Sequence, residues 1–251
     1  MAQAIVPLKD LVAAKTRLSG FLRPGERRAL AQAMVEDVLN VLTNNKQIER
    51  VTLVSDDPGA GLLSQKYGVE LLEEHLLDCR GLNAVLEKSC DLLPAELGEP
   101  IIILHGDMPL LSGADLDQVL RMTAQSGGLV IGCDRRSVGT NLLAFGPGAR
   151  PRFAFGSNSC NKHRNNASEA GIPVSIVRTM GIGFDVDEPG DLALLMAELT
   201  PDSPGQTAKL LLQGELRQRI EMLSDSIEDS GVDSNNIDNN GPDQAGDGIA
   251  L

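Results

Sequence analysis

Short apolar runs alternate with amphipathic stretches along the first two hundred residues of the chain. The runs are rich in Val, Ile and Leu and predict strands at 3–9, 49–57, 69–74, 101–104, 127–136, 140–147 and 173–187. The stretches between them repeat apolar residues every three or four positions and predict helices at 24–42, 60–68, 81–93, 114–125 and 189–199. This alternation predicts an α/β fold in which a mostly parallel central sheet carries helices on both faces.

Two of these elements carry extra local information. Residues 140–147 follow the preceding strand too closely for a helical crossover, so we expect them to be antiparallel or to lie at an edge of the sheet. Ser112 and Asp115 stand three residues apart at the start of the helix at 114–125 and predict a capping box there.

The chain changes character after residue 200. Residues 201–223 predict one more amphipathic helix, with its apolar positions at Leu210, Leu211, Leu216, Ile220 and Leu223. Residues 224–251 are rich in Asp, Asn, Ser and Gly and contain few large apolar side chains, which predicts an acidic disordered tail. The expected organisation is therefore a domain at 1–200, a C-terminal helix at 201–223 and the tail at 224–251.

Composition and charge narrow the function classes. Aromatic residues are only 2% of a chain that is 42% hydrophobic, so the core must be aliphatic. The net charge of −13 argues against general binding to nucleic acid or to an anionic membrane. No apolar run approaches the roughly 20 residues of a membrane span, and no leader sequence is evident. The four cysteines lack metal-ligand spacing. We expect reduced thiols, a cytoplasmic protein and no membrane or nucleic-acid partner, while a homo-oligomer stays open.

Acidic residues recur where predicted strands end. They are Asp56, Asp107, Asp134, Asp185 and Asp187. Ligands of open α/β sheets bind outside the carboxyl ends of the strands, so acids gathered there indicate a cation and, with it, a phosphorylated substrate. Each acid alone has a simpler explanation as a turn or cap residue, and Asp187 or Glu188 is well placed to cap the helix that begins at Pro189.

A basic loop follows the first strand at the same predicted edge. It contains Lys9, Lys15 and Arg17, which suit the phosphates of a nucleotide, although a solvated surface loop gives the same pattern. The chain has no P-loop motif, and "GIGFDV" lacks the last glycine of a dinucleotide-binding fingerprint.

Residues 139–163 combine small hydroxyl residues, glycines and bases. The polar candidates are Thr140, Asn141, Gly156, Ser157, Ser159, Lys162 and His163. They suit an anion-binding nest, and they suit equally a hairpin with a polar turn. His163 by itself is expected at the surface or at a helix cap, and His75 and His105 receive no role.

Six segments, in order, resemble the CofC/FbiD guanylyltransferases of coenzyme F-420 biosynthesis. They are "PLKDLVAAKTRLS", "RGLNAVLE", "HGDMPLL", "GTNLLAFGP", "FAFGSNSCNKH" and "FDVDEPGDL", and the resemblance spans about residues 4–200. It implies a GT-A-like nucleotidyltransferase fold that uses GTP and Mg²⁺. The implied acceptor is 2-phospho-L-lactate, phosphoenolpyruvate or 3-phospho-D-glycerate.

The same resemblance implies roles for individual residues. Thr140, Gly156 and Ser159 match the acceptor-binding positions, and Gly81, Leu82 and Asn83 would lie near the guanine. Asp107 matches a metal-binding acid together with Asp185 or Asp187, between which the sequence does not choose. The chain departs from the family pattern at Cys160, where an aromatic residue is expected, and at Glu188 and Gly190, where Thr and Glu are usual.

The expected mechanism is positioning and charge neutralisation. An oxygen of the acceptor phosphate attacks the α-phosphorus of GTP in line and expels pyrophosphate, so no general base is needed. Lys15 and Arg17 are expected at the β- and γ-phosphates, with Lys9 nearby. Two alternatives stay open. A molybdenum-cofactor nucleotidyltransferase should carry a "GGxSxRMG"-like loop, which is absent here. A non-catalytic GTP-binding protein would release no pyrophosphate.

Overall fold

A single sheet lies at the centre of the computed structural model, which describes residues 1–11, 15–93 and 99–229. Within those residues, seven strands follow the order β3-β2-β1-β4-β6-β5-β7 across the sheet. Their bounds are β1 Ala2–Pro7, β2 Ile48–Val54, β3 Glu70–Leu72, β4 Ile101–Leu104, β5 Leu129–Cys133, β6 Thr140–Phe145 and β7 Val174–Val177. Every predicted strand is present; β4 has its predicted bounds, and the others are shorter than predicted.

The sheet is parallel except around β6. That strand pairs antiparallel with both β4 and β5, whereas the remaining neighbours pair in parallel. The predicted mostly parallel sheet and the antiparallel direction of residues 140–147 are confirmed. The edge position is wrong, because β6 lies between two strands and all of its residues are buried.

Helices lie in the connections between consecutive strands, except between β5 and β6, and further helices follow β7. Their bounds are α1 Pro24–Asn44, α2 Ala60–Tyr67, α3 Leu82–Leu92, α4 Gly113–Ser126, α5 Ser159–Glu169, α6 Met180–Gly183, α7 Pro189–Glu198, α8 Gln206–Leu211 and α9 Gly214–Asp229. Short 3-10 helices lie at Thr16–Leu18 and Glu74–Leu77. The capping box is confirmed: the amide of Ser112 donates to Asp115 at 2.9 Å, and the amide of Asp115 donates to the Ser112 hydroxyl at 3.3 Å.

The sheet is covered on both faces, as predicted. Alternate residues of β4 show this, because Ile102 and Leu104 pack in one apolar cluster and Ile103 in the other. The first cluster contains buried residues of α1, α2 and α4, and the second contains those of α3 and α5. The core is aliphatic, as the composition predicts, with a few Phe side chains on the α5 side.

The C-terminal helices pack on the side of α1 that faces away from the sheet. A third apolar cluster joins Leu30 and Met34 of α1 to Leu192, Leu211 and Ile220 of the helices α7, α8 and α9. The carboxylate of Asp37 in α1 accepts from the main-chain amides of Gln206 and Thr207 at 2.5 and 2.9 Å and so fixes the start of α8. These helices therefore share a core with the residues before position 200.

The predicted single helix at 201–223 is wrong in its bounds. It is two helices, because the chain turns between α8 and α9 at Gly214, which has a φ of 67° that favours glycine. The second helix continues to Asp229, six residues into the segment predicted as tail. The remainder of the predicted acidic disordered tail, residues 230–251, lies outside the described residues.

In the same region of the sheet, one helix was not predicted and one predicted strand is too long. Residues 159–169 form α5, although their polar composition concealed a helix whose buried side is formed by Ser159, Cys160, His163 and Ala167. The strand predicted at 173–187 ends at Val177, and the helical turn α6 follows. The hydroxyl of Thr179 accepts from the amide of Ile182 at 3.2 Å and caps that turn.

The cysteines also differ from expectation. Cys133 at the end of β5 and Cys160 in α5 form a disulfide with their Cα atoms 6.1 Å apart, while Cys79 and Cys90 are free thiols. All four were expected to be reduced. The pairing joins a strand to a helix that the sequence did not reveal, so spacing alone gave no sign of it.

The described part of the chain contains no helix that is both long enough and apolar enough to span a bilayer.

Close packing between α1 and the end of β4 gives a stability prediction. A Cβ atom on Gly106 would lie 2.6 Å from Cγ2 of the buried Val35. We expect Gly106→Ala to lower the free energy of unfolding by about 1–3 kcal/mol, measured in urea, because the β-branched Val35 has no room to turn away. Val35→Ala in the same chain should restore part of that loss. An additive or larger loss in the double variant would contradict this packing account.

Candidate active site

A cavity of about 780 Å³ opens at the carboxyl ends of β1 and β4 and at the start of the antiparallel β6. Most of the residues singled out in the sequence line it. They are Lys9, Lys15, Arg17, Leu82, Asp107, Thr140, Gly156, Ser159, Asp185 and Asp187. Two predicted residues, Gly81 and Asn83, are not among its lining residues. The cavity thus joins the basic loop, the acids at the sheet edge and the candidate acceptor residues in one place.

Lys15 lies between two of the acids. Its Nζ atom is 2.6 Å from Oδ2 of Asp107 and 2.9 Å from Oδ1 of Asp187. The lysine backbone is in the left-handed region, with φ 55° and ψ 43°, and the 3-10 helix Thr16–Leu18 follows it directly. Only 8% of the Lys15 side chain is exposed, so the ammonium group depends on the two carboxylates for its solvation.

The pKa values of this group follow from burial and charge. Burial alone lowers the pKa of Lys15, but Asp107 and Asp187 outweigh it and raise that pKa above its usual value. Burial alone raises the pKa of Asp107, and Lys15 outweighs it and lowers that pKa. Both groups are therefore charged at neutral pH.

Asp185 shows that negative charge is in excess at this edge. Burial, followed by the nearby carboxylate of Asp107, raises the pKa of Asp185. Lys15 and the more exposed Arg17 bring two positive charges to three carboxyl groups, so the edge favours a further cation. This result fits the sequence prediction that these acids bind metal.

The carboxylates at this edge suit Mg²⁺ if substrate phosphate oxygens supply some of its ligands. Within residues 1–11, 15–93 and 99–229, no group of three or more His, Cys, Asp or Glu side chains is close enough to hold a metal ion alone. Mg²⁺ commonly binds one or two carboxylates and completes its octahedron with water and substrate phosphate oxygens. Asp107 with Asp185 or Asp187 fits that pattern, and phosphate oxygens would complete it.

The alternative role of Asp187 as a helix cap is not what the structure shows. Glu188 is the N-cap residue of α7, while the carboxylate of Asp187 points to Lys15 and Arg17. The amides of Asp187 and Glu188 both donate to Oδ2 of Asp191 at 2.8 Å, and the guanidinium of Arg135 pairs with the other oxygen of Asp191. Asp191 therefore holds the main chain that carries Asp187.

The other basic residues face the opening of the cavity. The guanidinium of Arg17 is 3.5 Å from Asp187 and 3.8 Å from Glu188, and its side chain is 68% exposed. Lys9 is exposed and lines the cavity after β1. Both are therefore accessible to an incoming anion, whereas Lys15 is already held by two carboxylates.

The candidate acceptor residues form the opposite wall. Thr140 begins β6, Ser159 begins α5, and Gly156 lies in the turn before α5 with a φ of 122° that favours glycine. Behind them lies His163, whose Nδ1 is 3.1 Å from Oγ1 of Thr140 and whose Nε2 accepts from the amide of Ala154 at 2.9 Å. His163 is fully buried, so its expected surface position was wrong.

Burial, together with the smaller effect of the nearby His105, lowers the pKa of His163 to about 4. His105, which received no role from the sequence, lines the cavity itself, with its ring edge-on to Phe155 at 5.4 Å between centroids. The wall formed by Thr140, Gly156, Ser159 and these two histidines is thus neutral at physiological pH, in contrast to the charged edge across the cavity.

Of the three residues predicted near the guanine, one lines the cavity and two do not. Leu82 lines the cavity, while Gly81 precedes α3 with a φ of 87°. The amide group of Asn83 accepts from the Phe155 amide at 2.7 Å and donates to the Phe155 carbonyl at 3.2 Å. Asn83 therefore fixes the segment that leads to Gly156, and a contact with the base stays a prediction for all three residues.

Sequence reasoning missed several lining residues. They include His105, Arg136, Asn158 and Phe155, whereas Asp134, which also lines the cavity, was among the predicted strand-end acids. A usable signal existed for α5, because Ser159, His163 and Ala167 recur every four positions, which places them on one helical face. That signal was hidden by the charged and amide residues between them.

Comparison with models of protein families matches residues 2–209 to the family described as "Guanylyl transferase CofC like". A phosphoenolpyruvate guanylyltransferase of Conexibacter woesei is 37% identical over 76% of this chain and 86% of its own. A 2-phospho-L-lactate guanylyltransferase of Methanothermobacter thermautotrophicus is 33% identical over 75% of this chain and 81% of its own. A 3-phospho-D-glycerate guanylyltransferase of Phenylobacterium zucineum is 32% identical over 76% of this chain and 88% of its own.

Solved structures agree on the fold. A protein of Desulfovibrio desulfuricans G20 assigned as a nucleotide-diphospho-sugar transferase superposes with a TM-score of 0.72 at 16% identity, covering 88% of this chain and 98% of that one. A 4-diphosphocytidyl-2C-methyl-D-erythritol synthase superposes with a TM-score of 0.55 at 12% identity, covering 79% and 99%. The predicted nucleotidyltransferase fold is confirmed.

The contact of Lys15 with two acids gives a prediction about cations. We expect Lys15→Met to lower the melting temperature in buffer without divalent cations, because Asp107 and Asp187 lose the charge they share. The free energy of unfolding should fall by about 1–3 kcal/mol, because both carboxylates are partly exposed to water. Mg²⁺ should raise the melting temperature of this variant more than that of the wild type, because a cation then takes the place of the ammonium group.

Lys66→Met is the matched control, because it also removes a lysine–carboxylate pair, with Glu36, away from the cavity. Its melting temperature should show no added response to Mg²⁺. An equal Mg²⁺ response in the two variants would argue against a cation preference of the Asp107–Asp187 pair.

Proposed function

Because this chain belongs to the CofC-like guanylyltransferase family, we propose that it transfers GMP from GTP to a phosphorylated three-carbon acid and releases pyrophosphate. The acceptor is phosphoenolpyruvate, 3-phospho-D-glycerate or 2-phospho-L-lactate, the acids named in its relatives. The product serves coenzyme F-420 biosynthesis, and the reaction takes place in the cytoplasm. The observation that carries this proposal is that a charged edge and a neutral wall face each other across one cavity.

The charged edge suits the triphosphate of GTP. Arg17 and Lys9 are exposed at the opening and would contact the β- and γ-phosphates. For Lys15 we propose a part that differs from the phosphate contact expected from the sequence. Its ammonium group already contacts Asp107 and Asp187, so it would hold these acids at a fixed separation and limit their repulsion of the nucleotide.

The acids provide the place for a divalent cation. Asp107, with Asp185 or Asp187, would hold Mg²⁺ against the phosphate oxygens. When bound, Mg²⁺ supplies positive charge that stabilises the transition state and the leaving pyrophosphate. Asp191 and Arg135 contribute indirectly, because they fix the main chain of Asp187 and Glu188.

The neutral wall suits the acceptor. Thr140, Gly156 and Ser159 would seat the phosphorylated acid through a hydroxyl, a main chain free of side-chain bulk and a second hydroxyl at the start of α5. The acceptor phosphate brings its own negative charge as the nucleophile. A neutral wall is adequate for it, since no proton has to be removed.

The bond changes follow from this arrangement. An oxygen of the acceptor phosphate forms a bond to the α-phosphorus of GTP, and the bond between that phosphorus and the bridging oxygen to the β-phosphate breaks. Pyrophosphate leaves with the electron pair, and the acceptor and GMP become joined through a diphosphate.

Pyrophosphate release tests the proposal directly. The purified chain, GTP and Mg²⁺ are combined with each of the three acids in turn, and pyrophosphate is measured with a coupled enzyme assay. We expect release with at least one acid and none without an acceptor. Binding of GTP without release in any mixture would contradict the proposal and support a non-catalytic nucleotide-binding protein.

Asp107→Asn tests the part of the acid at the end of β4. We expect kcat to fall by roughly two orders of magnitude or more, with a melting temperature close to that of the wild type, because Lys15 keeps its contact with Asp187. Asp117→Asn is the matched control, since the Asp117 carboxylate contacts Asn45 and Gln47 and does not line the cavity. An undiminished rate in Asp107→Asn would remove Asp107 from the mechanism.

A further inference from the structure

A buried histidine lies directly behind the wall where we place the acceptor. His163 is 0% exposed, and both nitrogens of its ring are engaged. Nδ1 is 3.1 Å from Oγ1 of Thr140, and Nε2 is 2.9 Å from the main-chain nitrogen of Ala154. The proposed reaction needs no proton from this ring, so its two contacts within the fold require another explanation.

The contact with Ala154 determines where the ring proton is. A main-chain amide can only donate, so Nε2 must accept with its lone pair and carries no proton. A neutral imidazole has one proton, which is therefore on Nδ1. Nδ1–H must then donate to Thr140, and Oγ1 of Thr140 must accept.

This direction constrains the hydroxyl of Thr140. One lone pair of Oγ1 is occupied by the histidine, so the hydroxyl proton is available for a different partner. Within the described part of the chain, the Thr140 hydroxyl has no second hydrogen-bond partner, and Thr140 lines the cavity. A hydroxyl held in this way offers a proton to the cavity, which suits an anionic oxygen.

We propose that His163 is a positioning residue that makes the Thr140 hydroxyl a hydrogen-bond donor to a carboxylate or phosphate oxygen of the acceptor. This inference rests on the proposed function, because Thr140 contacts the acceptor only there. It extends that function, because His163 then determines how well this wall binds the anionic acceptor without touching the acceptor itself.

The position of His163 extends its effect to the other acceptor residues. It lies one helical turn after Ser159 on the same buried side of α5, and Ala154 is two residues before Gly156. One imidazole ring therefore connects the three segments that carry Thr140, Gly156 and Ser159. The edge of Phe155 packs against the ring, with centroids 4.8 Å apart, and burial keeps the ring neutral because it lowers the pKa.

Four variants test this role. His163→Leu removes both ring nitrogens, and His163→Asn keeps an N–H group close to the position of Nδ1. Thr140→Val removes the hydroxyl and keeps the shape. The double variant Thr140→Val/His163→Leu measures whether the two residues act together. Arg164→Ala, an exposed neighbour on α5, is the matched control.

The readout is KM and kcat for the acceptor at saturating GTP, and KM for GTP at saturating acceptor, from pyrophosphate release. We expect His163→Leu and Thr140→Val each to raise the acceptor KM about tenfold, the usual size of one lost hydrogen bond to a charged group, with the GTP KM within about twofold. His163→Asn should restore most of the acceptor affinity. The double variant should be no worse than either single variant.

Several results would overturn the inference. They are an unchanged acceptor KM in His163→Leu, an equal loss in His163→Asn and His163→Leu, and losses that multiply in the double variant. Circular dichroism melting verifies that each variant is folded. If His163→Leu does not fold, His163→Phe, which also lacks ring nitrogens, takes its place.

The wild type separates this inference from the proposed function. A wild type that releases no pyrophosphate with any acceptor contradicts the proposed function. An active wild type together with an unaltered acceptor KM in the His163 variants contradicts only the role of His163.

Discussion

The contact of Lys15 with Asp107 and Asp187 is the constraint on which the charged edge of the site depends. It joins residues that are 92 and 172 positions apart and that come from the loop after β1, the end of β4 and the segment before α7. A buried ammonium group is stable only when it is paired, and two neighbouring carboxylates repel each other unless a cation lies between them. Each charge therefore requires the others, and the three segments converge at the mouth of the cavity.

The wall on the other side of the cavity carries no such charges. The wall around Thr140 and Ser159 is built from neutral groups whose hydrogen bonds are fixed by burial, with His163 at its centre. A charged edge and a neutral wall suit a reaction in which one substrate brings a triphosphate and the other brings its own anionic nucleophile. The protein then supplies orientation and charge, and no side chain has to take a proton.

The sequence predicted the parts of this arrangement that follow from local pattern. Asp107, Asp185 and Asp187 were expected together at the ends of parallel strands, with the basic loop after β1 beside them; they do line one cavity, although Asp185 and Asp187 follow the helical turn α6 and not a strand. It did not predict that Lys15 lies between the acids, because the path of a loop is set by tertiary contacts. It also missed α5, since its buried side consists of Ser, Cys, His and Ala rather than large apolar residues, and with α5 it missed His163 and the disulfide.

The phosphorus-31 NMR spectrum of the reaction mixture tests the central claim most directly. With the wild-type chain, GTP, Mg²⁺ and a suitable phosphorylated three-carbon acid, the account predicts that the acceptor phosphate and the GTP signals decline together. Two coupled resonances of a new diphosphate should replace them, alongside free pyrophosphate. A spectrum that stays unchanged with all three acids, or one that shows GDP and inorganic phosphate instead, would contradict nucleotidyl transfer at this site.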